Sequence, residues 1–210
     1  MYSNLPFFVL GFHGCDKDVG EKILAGEDIL RPTENDYDWL GHGIYFWENN
    51  PTRALYYAEE LKKHPERCKE TIETPFVIGA IIDLGRCFNL LDSKYIDILK
   101  ESYKLLVDSS KQNNISLPKN IVVGDSNDLL LRKLDCAVIE ITHAYNLLNK
   151  GQASNVHEFD SVRGLFDEGQ ELYPNSGFKE KNHIQVCVRN PNCIKGYFRV
   201  LKSNNKYPIP

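Results

Sequence analysis

The sequence predicts an α+β fold, and two observations carry that prediction. β-branched and aromatic runs stand at both ends of the chain, at FFVLGFH (7–13), FVIGAIIDLG (76–85), HIQVCVR (183–189) and IKGYFRVL (194–201). Between them lie segments whose apolar residues recur at helical spacing. Strands at the ends with helices inserted between them are the pattern of a mixed fold.

Each element has its own justification. FFVLGFH reads as a buried strand, and DKDVGEKILAGE (16–27) as a helix with Asp16 as N-cap, Val19, Ile23 and Leu24 on one face, and Gly26 as its stop. ENDYDWLGHG (34–43) reads as a loop and GIYFWE as a short strand. A helix then starts at Asn50, with Pro51 in its first position, and runs to about Lys63. FVIGAIIDLG, bounded by Pro75 and Gly85, reads as a central strand. Ile96, Leu99, Tyr103, Leu106 and Val107 make 92–115 helical, and one or two further helices are expected around DLLLRKLDCAVIEITHAYNLL in 126–148. HIQVCVR, NPNC and IKGYFRVL read as a strand, a turn and a second strand paired with the first.

The 210 residues are 42% hydrophobic and 26% charged, which suits one domain spanning 1–210. LPFFVLGF (5–12) lacks a basic leader and is too short to cross a bilayer, so no signal peptide, no membrane association and a cytoplasmic location are expected. Cysteines 15, 68, 87, 136, 187 and 193 form no CxxC pair, which fits reduced thiols and gives no zinc or other metal site. Net charge is −4, but unevenly spread. Residues 1–60 hold eleven acidic side chains against four basic ones, whereas 179–206 hold seven basic ones against Glu180.

GHGIYFWENN (41–50) sets three aromatic side chains in a row behind two glycines. On a strand, Tyr45 and Trp47 share one face and Ile44 and Phe46 the other, so one face can be core and the other an aromatic surface. GFHG ends the first strand, GHGIYF opens a strand some thirty residues later, and a helix bearing RALYYA follows. In that order and spacing the chain resembles the catalytic core of the diphtheria-toxin-like and poly(ADP-ribose)-polymerase-like ADP-ribosyltransferases. The resemblance covers roughly 7–85 and 165–200. Residues 86–164 have no counterpart and read as a mostly helical insertion of unassigned role.

The resemblance implies a single domain with a split, mixed or antiparallel sheet core and helical insertions. It implies NAD as a substrate, cleaved at the nicotinamide–ribose bond, with ADP-ribose passed to a macromolecule. His13 would bond the adenosine ribose, and the Gly14 backbone the nicotinamide carboxamide, an approach that a residue without Cβ permits. Tyr45 would lie against the nicotinamide ring, with Tyr56 or Tyr57 closing a sandwich worth about 0.5–2 kcal/mol per contact with the cationic ring. The third position of the family, usually glutamate, falls on Gln185, which is uncharged and takes no proton. Glu168, Glu171 or Glu180 in the preceding loop are candidates for the missing base, or are solvated charges.

That loop, RGLFDEGQELYPNSGFKEKN, carries aromatics expected to be exposed at Phe166, Tyr173 and Phe178, and the resemblance makes Phe166 to Lys181 the segment that chooses the acceptor. Lys179, Lys181 and Arg189 flank Gln185, and Arg199 and Lys202 are expected on the next strand, so the mouth reads as cationic. A cationic mouth with exposed aromatics suits RNA or another single-stranded nucleic acid, while protein is the usual acceptor of the resembled family. Enzymes of this kind are often toxins or defence effectors, which implies a neutralising antitoxin or a chaperone. Gln185 favours an alternative, an inactive module that binds NAD or ADP-ribose or serves interactions alone. A thiol hydrolase built on Cys15 is a third and distant reading. His42 is expected to shape a loop or rim, and His64, His143 and His157 to be surface or core.

Overall fold

Phe46, with none of its surface exposed, packs in one apolar layer with Ile44, Ala80, Ile82, Val186 and Val188. The computed structural model describes residues 8–68, 70–123, 128–148, 158–202 and 206. In chain order these form β1 (Phe8–Asp16), α1 (Lys17–Ala25), β2 (Ile44–Glu48), α2 (Pro51–Lys63), β3 (Pro75–Asp83), β4 (Cys87–Asn89), α3 (Ser93–Gln112), β5 (Asn120–Val122), β6 (Leu129–Arg132), α4 (Lys133–Leu148), β7 (Ser161–Phe166), β8 (His183–Val188) and β9 (Ile194–Arg199). Seven strands make one mixed sheet in the order β4-β7-β8-β2-β1-β3-β9, and β5 pairs with β6 apart from it. Every pairing in the large sheet is antiparallel except β4 with β7. The architecture is α+β.

Local chemistry explains the helices that flank the sheet. Asp16 caps α1 by accepting from the Asp18 amide, and Gly26 ends it in the left-handed conformation at φ 76°. Asn50 caps α2 by accepting from the Arg53 amide, with Pro51 at the first helical position. Ile23 of α1 packs with Cys15 and Ile78 on one sheet face. On the other face Ala54 of α2 meets Phe12 and Trp47, while Leu99 of α3 and Ile139 of α4 meet Phe88, Val162 and Cys187. Helix α2 comes unusually close: a Cβ on Gly14 would sit 2.2 Å from the Ala54 carbonyl oxygen. No helix among the described residues is long and apolar enough to cross a membrane.

Several expectations need correction. The first strand continues past His13 to Asp16, because every residue from Phe8 onward has a partner on β3; Phe7 and His157 lie outside the described residues. The apolar run at 129–132 forms β6 rather than helix, since so short a run is also compatible with a strand, and the helix begins at Lys133. RGLF (163–166) belongs to β7 rather than to the loop, held between β4 and β8. The region read as a mostly helical insertion also supplies β4, an edge of the main sheet.

β8 and β9 do not pair with each other. Three strands separate them, because β9 docks on β3 at the far edge, where Phe198 lies over Gly79. A Cβ on Gly79 would meet the Phe198 ring at 2.2 Å. Nor is either face of β2 an open aromatic surface: Trp47 is buried by Phe12 and Ala54, and Tyr45 packs among Leu40, Phe88 and Cys187.

The Gly14 contact generates a stability prediction. Gly14→Ala forces a methyl against backbone that cannot rotate away, and should cost about 1–3 kcal/mol in denaturant unfolding. Unchanged stability would mean that α2 does not rest on β1 in this way.

Candidate functional site

The ladder between β1 and β2 is short. It contains Gly11 opposite Glu48 and Phe12 opposite Trp47, continued on one side by the Asn49 amide donating to the Leu10 carbonyl at 2.9 Å. Backbone groups alternate in direction along a strand, so those of Leu10, Phe12 and Gly14 all face β2. The same register would next pair Gly14 with Tyr45, and no such pair forms. His13 Nδ1 instead meets the Tyr45 carbonyl at 2.8 Å. A carbonyl only accepts, so Nδ1 carries the proton; burial holds the imidazole pKa below its ordinary value, so Nε2 is left as an acceptor. β3 still pairs with the opposite edge of β1 as far as Asp16. The sheet thus has two parts that separate at Gly14 and Tyr45.

Tyr45 is fixed at both ends. Its hydroxyl donates to the Gly41 carbonyl at 2.7 Å and accepts from the Leu40 amide at 2.8 Å, and burial pushes its pKa well above the ordinary value. Gly41 has φ 77°, and a Cβ there would also strike Glu140 Oε1 at 2.4 Å, which accounts for one glycine of GHG. On α2, Tyr57 sets its ring 4.9 Å from Trp47. It keeps 40% of its surface exposed, yet desolvation pushes its hydroxyl up to about 12. Tyr56 is 55% exposed and has no ring partner among the described residues. Of the two tyrosines left open by the sequence, Tyr57 stands with Arg53 on the side of the helix facing Trp47.

Gln185 lies on β8 between Trp47 of β2 and Gly164 of β7, and its side chain makes no hydrogen bond among the described residues. His183, two residues earlier on the same face, has Nδ1 at 2.5 Å from the Lys181 carbonyl, and burial lowers its pKa to about 4. Its ring is 6.3 Å from Trp47. Arg53 Nη2 meets Glu168 Oε2 at 3.3 Å, and burial raises the Glu168 pKa despite that cation. The sequence reading gives Arg53 and His183 no role in the site, and Trp47 enters it only as a member of the aromatic run. Arg53 does lie in RALYYA, but its direction depends on the docking of α2.

The acceptor loop departs from expectation at Phe166. Phe166 is 4% exposed and buried against Trp39, whose ring is 4.2 Å away, because it closes β7 instead of lying in the loop. Tyr173 and Phe178 are exposed, as expected. Glu168 is buried, whereas Glu171 and Glu180 are exposed, with Glu171 bonded to the Asn175 amide. The cationic mouth does not assemble. Lys179 pairs with Asp167, Arg189 with Glu140, and Arg199 with Glu21 of α1 at the far edge of the sheet, since β9 is not beside β8. Lys202 follows β9 and is likewise far from Gln185 in the strand order. Lys181 is exposed.

His42 lies on the rim with its amide bonded to Glu140. Burial raises the Glu140 pKa, but the hydrogen bonds from Arg189 and from the His42 amide outweigh it. Cys15 is buried, its thiol pushed up to about 12 by desolvation, which leaves no thiolate for a hydrolase. Among the described residues no group of three or more His, Cys, Asp and Glu side chains is arranged to hold a metal.

Tyr45→Phe should remove both hydroxyl contacts and leave the Leu40 amide without its acceptor, costing about 1–3 kcal/mol. Hydrogen exchange at residue 40 should accelerate; unchanged exchange would mean that Tyr45 does not hold the loop. The chain is similar to an uncharacterized protein of Methanocaldococcus jannaschii, 29% identical over 201 residues that cover 88% of this chain and 83% of the relative. No family model matches the chain, and no solved structure matches it.

Proposed function

We propose that the chain is an NAD-dependent mono-ADP-ribosyltransferase, cleaving the nicotinamide–ribose bond and transferring ADP-ribose to a macromolecule. The observation that carries this reading is the missing pair between Gly14 and Tyr45. The Gly14 peptide has a donor and an acceptor on one edge, which is what a primary carboxamide such as that of nicotinamide requires. Tyr57, which keeps 40% of its surface exposed on the same face of the sheet as Tyr45, offers a ring to a flat cationic group. His13 Nε2 is an acceptor suited to a ribose hydroxyl. Gln185, beside Trp47, supplies an amide to orient the nicotinamide ribose.

The reaction needs little more than positioning and electrostatics. As the C–N bond breaks, nicotinamide leaves with the bonding electrons and positive charge develops on the ribose. Neutral His13, Tyr45 and Gln185 orient the sugar but place no negative charge beside it. Of the acceptors, protein is favoured. Of the cations expected at the mouth, Lys179 is paired with Asp167 and Arg189 with Glu140, while Leu172, Tyr173 and Phe178 are exposed, a surface better suited to a polypeptide than to a polyanion. Single-stranded nucleic acid is the second choice. An NAD-binding module without turnover is the other reading, favoured by the uncharged Gln185.

Incubation with NAD labelled in the adenylate should release nicotinamide and leave label that protease, not nuclease, removes. His13→Ala should lower nicotinamide release at least about 100-fold, as loss of an oriented polar contact at a reacting centre does. Wild-type release by that variant would overturn the assignment. Bound NAD with no release by the native chain would establish the module instead.

A further inference from the structure

GHG (41–43) leads into β2 two residues before Tyr45, and both peptide groups of its middle residue are held by side chains distant in sequence. The His42 amide donates to Glu140 Oε1 of α4 at 2.8 Å, and the His42 carbonyl accepts from Arg189 Nη1 at 3.0 Å. Glu140 and Arg189 also close on each other, Nη1 to Oε1 at 2.5 Å and Nη2 to Oε2 at 3.2 Å, so α4 and the residue just past β8 form a two-point pair. Charge-assisted bonds of this forked kind are stronger and more directional than single neutral ones. Gly41 permits the approach, because a Cβ there would lie 2.4 Å from Glu140 Oε1.

The Gly41 carbonyl and the His42 amide belong to one peptide plane, and that peptide is trans. In a trans peptide the C=O and N–H point in opposite directions. On the carbonyl side the Tyr45 hydroxyl donates at 2.7 Å, and on the amide side Glu140 accepts. One rigid plane thus joins Glu140 to Tyr45. A glycine at φ 77° gives this plane no preferred setting of its own, so its contacts must fix it. Tyr45 in turn presents the carbonyl that meets His13 Nδ1, beside the interruption between β1 and β2.

We infer that Glu140 is a positioning residue for NAD cleavage: paired with Arg189, it fixes the Gly41–His42 peptide and through that peptide fixes Tyr45. The inference rests on the ADP-ribosyltransferase reading. It gives the segment 86–164, which has no counterpart in the resembled enzymes, a task at the site, because α4 carries Glu140 to the loop. Glu140 acts through the peptide alone and takes no part in breaking the glycosidic bond. Without it, the loop holds Tyr45 in the binding arrangement for only a fraction of the time. Apparent affinity then falls by that fraction for the substrate and the transition state alike, so KM rises and kcat stays.

The test measures nicotinamide release from NAD by the full chain in water, which needs no macromolecular acceptor. Glu140→Gln has one acceptor oxygen in place of two and no charge for Arg189. It should raise the KM for NAD about tenfold or more, keep kcat within about twofold of the native chain, and speed hydrogen exchange at the His42 amide. Should Glu140→Gln fail to fold, Glu140→Asp keeps the charge but draws the oxygens back by one methylene, and should show the same split. A native KM in the folded variant, or a loss of kcat at unchanged KM, would overturn the inference and leave the function reading standing. A native chain that releases no nicotinamide overturns both.

Discussion

The site depends on one short hydrogen bond, from His13 Nδ1 to the Tyr45 carbonyl, which takes the place of the next rung between β1 and β2. A backbone carbonyl left bare in the interior is costly, so a strand pair that stops short must satisfy its orphan groups elsewhere. A neutral imidazole does this for Tyr45 and leaves the Gly14 peptide for another partner. The interruption is local because each strand is secured on its other side, β1 by β3 along nine residues and β2 by β8 along four. The two parts of the sheet therefore separate without coming apart.

The surrounding aromatic residues follow from that opening. The Tyr45 hydroxyl ties down the loop at Leu40 and Gly41, so its ring has a fixed orientation. Helix α2 descends onto Gly14 and carries Tyr57 and Arg53 to the same side as Trp47. Gly14 thus has two uses: its missing Cβ admits the helix on one side, and its peptide edge faces the gap on another. Glu168, just past the end of β7, meets Arg53 in a buried ion pair on that side.

Much of this was legible in the residues, where the deciding forces are local. Asp16 and Gly26 bound α1, Asn50 with Pro51 starts α2, and the alternation of Ile44, Tyr45, Phe46 and Trp47 assigns each side chain its face. What escaped was governed by partners distant in sequence. NPNC is a sound turn signal, but a turn does not choose a neighbour, and the fit of Phe198 over Gly79 sends β9 to the opposite edge. The basic strip at the C-terminal end failed for the same reason. Phe166 and Glu168 resemble ordinary loop residues until β7 and the N-terminus of α2 are packed, and Arg53, Trp47 and His183 lack any spacing that would link them beforehand.

The free peptide edge of Gly14 is the centre of the account, and an NMR titration with nicotinamide alone reads it directly. In a ¹⁵N-labelled chain the Gly14 amide should show one of the largest shifts, moving downfield as it donates to the carboxamide, with Tyr45 following. Nicotinamide that leaves the Gly14 and Tyr45 amides where they were, even at high concentration, would contradict it.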